Sequence, residues 1–209
     1  MKIAVLGSGN VGGALGTQWA RTGHTVLFAS RNPNSEEMQQ LLARAGANAH
    51  SVSSREAVEG ADVVLLATPW GATESVIAQC GGLAGKVVLD ATNPLGPGFA
   101  LTHCGNDSGG EQVQRWAPRA RVVKVFNTTG YGNMENPVYD GKPSVMFYAG
   151  DDSAAKVVAR QLSDVAGFES IDAGPLENAR LLEAWAVLWI KMAMQFGHGR
   201  DFAFAKMTR

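Results

Sequence analysis

The six residues Gly7-Ser8-Gly9-Asn10-Val11-Gly12 constrain this chain more than any other stretch of it. They follow Ile3-Ala4-Val5-Leu6, an apolar run of strand length, and lead into Val11–Thr22, which has helical periodicity. A G-x-G-x-x-G string alone is a weak signal. Set between a strand and a helix, it predicts the phosphate-binding turn of a dinucleotide fold. Gly7 permits the tight turn, Gly9 lets the backbone approach a pyrophosphate, and Gly12 lets helix and strand pack closely. The pyrophosphate would rest on free amides at the helix start, where the helix dipole favours negative charge.

The rest of the chain repeats this strand–helix rhythm. Strands are expected near Ile3–Leu6, Thr25–Ala29, Ala47–Val52, Asp62–Ala67, Lys86–Asp90, Arg121–Phe126, Ser144–Ala149 and Glu169–Asp172. Helices are expected near Val11–Thr22, Ser35–Ala45, Ser54–Glu59, Thr73–Cys80, Gly110–Trp116, Ser153–Val165 and Glu177–Phe196. Most strand runs are continuously apolar rather than alternating, as in parallel strands buried on both faces. The pattern predicts an α/β fold, a Rossmann-type doubly wound, mostly parallel sheet with a small C-terminal helical extension. Residues 1–150 would form the dinucleotide-binding domain. Residues 151–209 would extend the sheet and pack helices on it without independent stability.

Composition removes several alternatives. With 18 basic against 19 acidic residues, the net charge of −1 argues against a broad nucleic-acid surface. Cys80 and Cys104 make neither a disulfide framework nor a zinc spacing. Met1-Lys2 runs straight into a strand without a signal peptide, and the longest apolar run, Ala184 to Ile190, is far short of the ~20 residues that span a bilayer. A cytoplasmic protein without a membrane or metal partner is the expectation.

The dinucleotide is read at the end of the second strand, where an NAD enzyme usually carries a carboxylate. Here Ala29-Ser30-Arg31-Asn32-Pro33 has none before Glu36. Ser30 can donate to a 2′-phosphate and Arg31 can supply its counter-charge, so NADP is favoured. A surface arginine opening a helix is the plainer alternative.

In this fold the substrate sits beyond the carboxyl ends of the strands. Those ends carry Thr68-Pro69-Trp70, Asn93 in Thr92-Asn93-Pro94, and Asn127-Thr128. Thr68, Pro69 and Trp70 would position the nicotinamide, and Asn93, Asn127 and Thr128 the acceptor. These groups suit a carboxamide, a ribose or a flavin-like ring. No histidine, lysine or glutamate stands at these ends, and hydride exchange with an alcohol or ketone normally needs such a proton partner. Exchange with a flavin-type ring needs chiefly stacking, distance and dryness. His103 lies in an aperiodic stretch, Gly96–Gly110, that reads as a surface loop or a lid. His24 reads as structural, His50 and His198 have no partner spacing, and Lys191 on the last helix is a weak candidate proton donor. In Glu177–Phe196 the apolar stripe Leu181, Trp185, Leu188, Met192 and Phe196, widened beyond one face by Leu182, Ala186 and Trp189, suggests burial on the sheet or against a second subunit.

Short motifs spread along the chain resemble the NADPH-dependent coenzyme F420 reductase family. They are the glycine turn with Asn10, Gly23-His24, Ser30-Arg31, Pro69-Trp70, Ala149-Gly150-Asp151-Asp152, Asp172-Ala173-Gly174-Pro175-Leu176 and Ala179-Arg180. The resemblance implies NADP held by Ser8, Gly9, Asn10, Val11, Ser30 and Arg31, with Pro69 and Trp70 near the nicotinamide. It also implies a homodimer and hydride exchange with a deazaflavin. One position departs: Asn127 stands where the deazaflavin reductases have a histidine. There Val123-Lys124-Val125-Phe126-Asn127-Thr128, like Ser30-Arg31-Asn32-Pro33, is more similar to the NADPH-binding cytosolic domain of six-transmembrane metalloreductases, which pass hydride to a flavin. The expectation is an NADP(H)-dependent oxidoreductase whose small-molecule acceptor is coenzyme F420, FMN or FAD. A carbonyl or imine reductase and a non-catalytic NADPH sensor are the alternatives.

Overall fold

Strands that are apolar on both faces need helices above and below them. The computed structural model, which describes residues 1–209, supplies them. In chain order the elements are β1 (Lys2–Leu6), α1 (Asn10–Arg21), β2 (Thr25–Ala29), α2 (Glu36–Ala45), β3 (Ala49–Val52), α3 (Ser54–Glu59), β4 (Val63–Leu66), α4 (Trp70–Gln79) and β5 (Val87–Asp90). They continue with α5 (Gly109–Trp116), β6 (Arg121–Val125), α6 (Tyr131–Glu135), β7 (Val138–Tyr139), β8 (Lys142–Pro143), β9 (Val145–Gly150), α7 (Ser153–Val165), β10 (Glu169–Asp172) and α8 (Ala179–Met194).

Eight strands form one sheet in the order β10-β9-β6-β5-β4-β1-β2-β3, a Rossmann arrangement. β1 pairs in parallel with both β2 and β4, so the winding reverses at β1 and the ends of β1, β4, β5 and β6 share one edge. β9 joins β6 antiparallel, and β10 runs parallel to β9. The core fills both faces of the sheet. On one face Trp19 of α1 is fully buried; its indole N–H donates to the Leu162 carbonyl at 3.0 Å, tying α1 to α7. No helix is long and apolar enough to cross a membrane.

Three local expectations need correction. α4 begins at Trp70, not Thr73, because Pro69 closes the preceding strand and supplies a φ of −55° that suits a helix start. The short helix α6 and the hairpin β7–β8 lie in a stretch with no periodicity to announce them. The third is only sharpened: the stripe on α8, open in the sequence between the sheet and a second subunit, divides between two sides. Its buried side is Ala179, Leu182, Ala186, Trp189 and Ala193, while Leu181 and Leu188 are 67% and 49% exposed. The small side chain of Ala179 lets the helix pack closely on α5, where a Cβ on Gly110 would lie 2.9 Å from Ala179 Cβ. The tail then folds back: Trp185 sits between Phe147 and Phe204, and Trp189 stacks on Phe202.

Candidate active site

The glycine turn is built by exclusion of side chains. A Cβ on Gly7 would lie 2.4 Å from the Ala67 carbonyl oxygen at the neighbouring strand end, and Gly7 has a φ of +105°. A Cβ on Gly12 would lie 1.9 Å from the Gly7 oxygen. Gly9 is the opposite case, because nothing lies within 4 Å of the space its side chain would take. That open space stands over the first turn of α1, which carries no acidic side chain and no side-chain cap. The first intrahelical bond there runs from the Gly13 amide to the Gly9 oxygen. The preceding amides of the turn are free to receive an anion. The arrangement fits a pyrophosphate.

Beside the turn lies a cleft of about 760 Å³ along the outer face of α1, lined by polar residues that include Thr17, Arg21 and Arg44. The second cleft, about 590 Å³, lies over the carboxyl edge. Its walls are Gly7, Gly9, Asn10 and Val11 from the turn, Ala67 to Gly71 from the end of β4, and Ala91 to Asn93 with Leu95 beyond β5. Thr68, Pro69, Trp70 and Asn93 are thus brought together with the glycine turn. None of the lining side chains ionises.

The edge residues hold one another. Thr68 Oγ1 is 3.0 Å from the hydroxyl of buried Thr73. Trp70 is fixed by two aromatic neighbours, His103 edge-on at 5.2 Å and Trp116 at 5.2 Å. Asn127 Nδ2 donates to Asn93 Oδ1, and Asn93 Nδ2 donates back to the Asn127 carbonyl, both at 3.0 Å. Asn127 Oδ1 is buried without a donor. Thr128 is also buried, its hydroxyl directed at the Met146 sulfur at 3.7 Å. Neither Asn127 nor Thr128 is among the cleft walls, so the third strand end reaches the cleft through Asn93. The chain enters Asn127 through Phe126, a buried non-glycine residue with a φ of +64°, a conformation that costs on the order of 1–3 kcal/mol.

At the end of β2, Ser30 Oγ accepts from the Asn32 amide at 3.0 Å, and Arg31 is exposed and forms no ion pair. An unpaired guanidinium there, with no carboxylate beside it, could hold a phosphate. His24 lies at the start of β2, away from the carboxyl edge, with Nδ1 3.2 Å from the N-terminal amine. Burial and that positive charge push its pKa down. Lys191 makes no side-chain hydrogen bond or ion pair. The Gly96–Gly110 stretch closes on itself: the Gly96 amide donates to the Ala100 oxygen, and both the Thr102 amide and hydroxyl donate to the Pro94 oxygen.

One group escaped the reading of motifs. Lys124 of β6, Asp90 of β5 and Glu183 of α8 are all fully buried, with Nζ 2.7 Å from Asp90 and 2.8 Å from Glu183. Burial alone would push the Lys124 pKa down, but the two carboxylates outweigh it and hold the ammonium above its ordinary value. Charges set in apolar runs, as in Val-Val-Lys-Val and Val-Val-Leu-Asp, are the available signal, because a charge buried in a sheet must be paired.

The fold and its glycine turn define a Rossmann-type dinucleotide-binding protein. A family model described as "NADP oxidoreductase coenzyme F420-dependent" matches residues 2–94. The F420-dependent NADP reductase of Methanothermobacter thermautotrophicus is 30% identical over 207 residues, 92% of this chain and 89% of that one. A provisionally assigned F420-dependent NADP reductase structure from Arthrobacter sp. FB24 superposes with a TM-score of 0.89 at 32% identity, covering 100% of both chains. Metalloreductase STEAP3 of Rattus norvegicus is 29% identical over 88% of this chain, which spans only 36% of that protein's length. The chain belongs to the F420-dependent NADP reductase family and is an NADP-dependent oxidoreductase.

Proposed function

We propose that this protein exchanges hydride between NADP(H) and a deazaflavin of the coenzyme F420 type in the cleft over the sheet's carboxyl edge. One observation carries the reading: the cleft is walled by glycines, neutral hydrogen-bonding groups and Trp70, with no side chain that can give or take a proton. Such a wall suits two stacked rings and offers nothing to a carbonyl that must be protonated as it is reduced. When bound, NADPH supplies the hydride from its nicotinamide ring, and water supplies the proton that completes the reduced acceptor. The amides of Asn10, Val11 and Gly12, reached across Gly9, hold the pyrophosphate. Ser30 and Arg31 take the 2′-phosphate. Thr68, Pro69 and Trp70 set the nicotinamide, and the coupled Asn93–Asn127 pair, backed by Thr128, shapes the acceptor side. The names of the reductase relatives support the deazaflavin over FMN or FAD.

The working unit is a homodimer joined through the exposed side of α8. Leu181, Leu188 and Phe196 leave an apolar strip there that a monomer would keep in water. Light scattering would then give twice the chain mass, falling to one on Leu181→Glu with Leu188→Glu.

Anaerobic mixing with NADPH and, separately, coenzyme F420, FMN and FAD tests the reaction. Protein-dependent loss of both the nicotinamide and the F420 absorbance is expected. Reduction of FMN or FAD alone would move the acceptor to the flavins. NADPH binding with no acceptor reduced would overturn hydride transfer to a ring and bring forward the carbonyl or imine reductase and the sensor.

A further inference from the structure

We infer that Lys124, with Asp90 and Glu183, is a positioning residue that pins both ends of the segment from Thr92 to Gly109 and so holds the acceptor wall of the cleft in place. The inference rests on the hydride-transfer reading above and goes below it, to what fixes that wall.

Lys124 Nζ donates to one backbone oxygen and lies at ion-pair distance from two carboxylates. Asp90 Oδ2 lies at 2.7 Å, Glu183 Oε1 at 2.8 Å, and the Thr92 carbonyl oxygen accepts at 2.9 Å. The segment's start is further tied by Asp90 Oδ1, which accepts from the Thr92 amide at 2.9 Å and its hydroxyl at 2.7 Å. Its far end is tied by Glu183, whose two oxygens accept the Gly109 and Gly110 amides at 2.9 Å each. Those amides open α5, so the helix dipole takes up the excess negative charge of one lysine against two carboxylates.

The ends also meet sterically. A Cβ on Gly109 would lie 3.1 Å from Pro94 Cδ, and one on Gly110 only 3.2 Å from Lys124 Cε. Between the pinned ends the segment carries Asn93 and Leu95 into the cleft wall and His103 against Trp70. Buried ion triads are often no more stabilising than apolar residues of the same volume, because desolvation offsets the attraction. What this triad supplies that an apolar cluster cannot is directional bonding to Thr92, Gly109 and Gly110 at once. Lys124 touches none of the cleft walls except through Thr92 and acts on the reaction only through that segment.

The test uses the full chain with Lys124→Met and, as the milder change, Glu183→Gln. Three quantities are measured: NADPH affinity by nicotinamide fluorescence, single-turnover reduction of coenzyme F420 with NADPH and 4-deuterated NADPH, and amide hydrogen exchange by region. Expected are NADPH affinities within about threefold of the parent, a hydride-transfer rate at least tenfold lower with the isotope effect fully expressed, and exchange of residues 92–110 accelerated beyond the uniform rise that lower overall stability brings to the whole sheet. A merely structural role would accelerate residues 92–110 no more than the rest of the sheet and lower NADPH affinity together with the rate; that result, or an unchanged transfer rate, overturns the inference. If Lys124→Met does not fold, Glu183→Gln decides alone on the same criteria. If the parent protein binds NADPH but reduces no acceptor, the hydride-transfer reading fails. The exchange and affinity measurements then still decide whether the triad pins the segment, with uniform exchange counting against it.

Discussion

The glycine turn and the Lys124 cluster lie at the same edge of one sheet and hold their geometry by opposite means. In the turn, position is fixed by what is missing: backbone packs against backbone, and a single methyl on Gly12 would collide with the Gly7 oxygen at 1.9 Å. Under the acceptor wall, position is fixed by three charged side chains from β5, β6 and α8, all without solvent contact. The turn is specified within six consecutive residues and tolerates no addition at Gly7 or Gly12. The cluster is assembled across the chain and tolerates no deletion. The cleft over the carboxyl edge thus has one wall set by short-range sterics and another by long-range charge.

The largest effect that separates the two walls is expected from deletion in the cluster. Lys124→Met should lower unfolding free energy by about 3–5 kcal/mol in a urea titration, since it strands buried carboxylates. A loss under about 1 kcal/mol would put this cluster with ordinary surface pairs. Addition in the turn comes next. Gly12→Ala should cost on the order of 1–3 kcal/mol or more through overpacking. Gly9→Ala should leave the unfolding midpoint within about 0.5 kcal/mol, because its methyl meets no protein atom. It should nonetheless weaken NADPH at least tenfold in the same fluorescence titration. Equal stability losses for the two glycines would erase the distinction between a packing glycine and an approach glycine.

A charge change at the turn's far side is smaller. Arg31→Ala should weaken NADPH by about 1.5–3 kcal/mol, roughly 10–100-fold, and leave NADH nearly unchanged. Equal weakening of both nucleotides would remove the 2′-phosphate role. The smallest effect is outside both walls, where Arg180 hydrogen-bonds Glu111 and holds its carboxyl below the ordinary 4.5. A depressed carboxylate stabilises the fold above its unfolded value and loses that contribution as pH falls through the folded one. The difference in unfolding midpoint between the parent and Glu111→Gln should therefore be level above about pH 4.5 and shrink below it. A difference independent of pH would assign the effect to packing.

The two walls were also unequally legible. Gly7 to Gly12 could be read directly, because sterics act between neighbours and the strand and helix flank them. The mostly parallel sheet and the meeting of Thr68, Pro69, Trp70 and Asn93 at its carboxyl edge followed from the continuous apolar runs and their strand ends, whereas the antiparallel joining of β9 to β6 did not, since β9 is equally apolar. Lys124, Asp90 and Glu183 could not be linked in advance, since no periodicity joins residues on three elements. The two sides of α8 could not be told apart for a related reason. Apolar residues run around the helix, and only the packing turns Ala179, Leu182, Ala186, Trp189 and Ala193 inward and admits Glu183 beside Lys124. Asn127 and Thr128 were placed at the right strand end, but the positive φ at Phe126, invisible in sequence, turns them inward.

That a carboxylate from the last helix completes a strand in the middle of the sheet sets a clock on biosynthesis. Glu183 is made about 60 residues after Lys124, so at about 5–20 residues per second the ammonium waits several seconds for its second partner. During that interval β5 and β6 carry a charge pair open on one side, and the two amides of Gly109 and Gly110 have no acceptor. The nascent nucleotide-binding half therefore passes through a stage in which its glycine turn can form while its acceptor wall cannot.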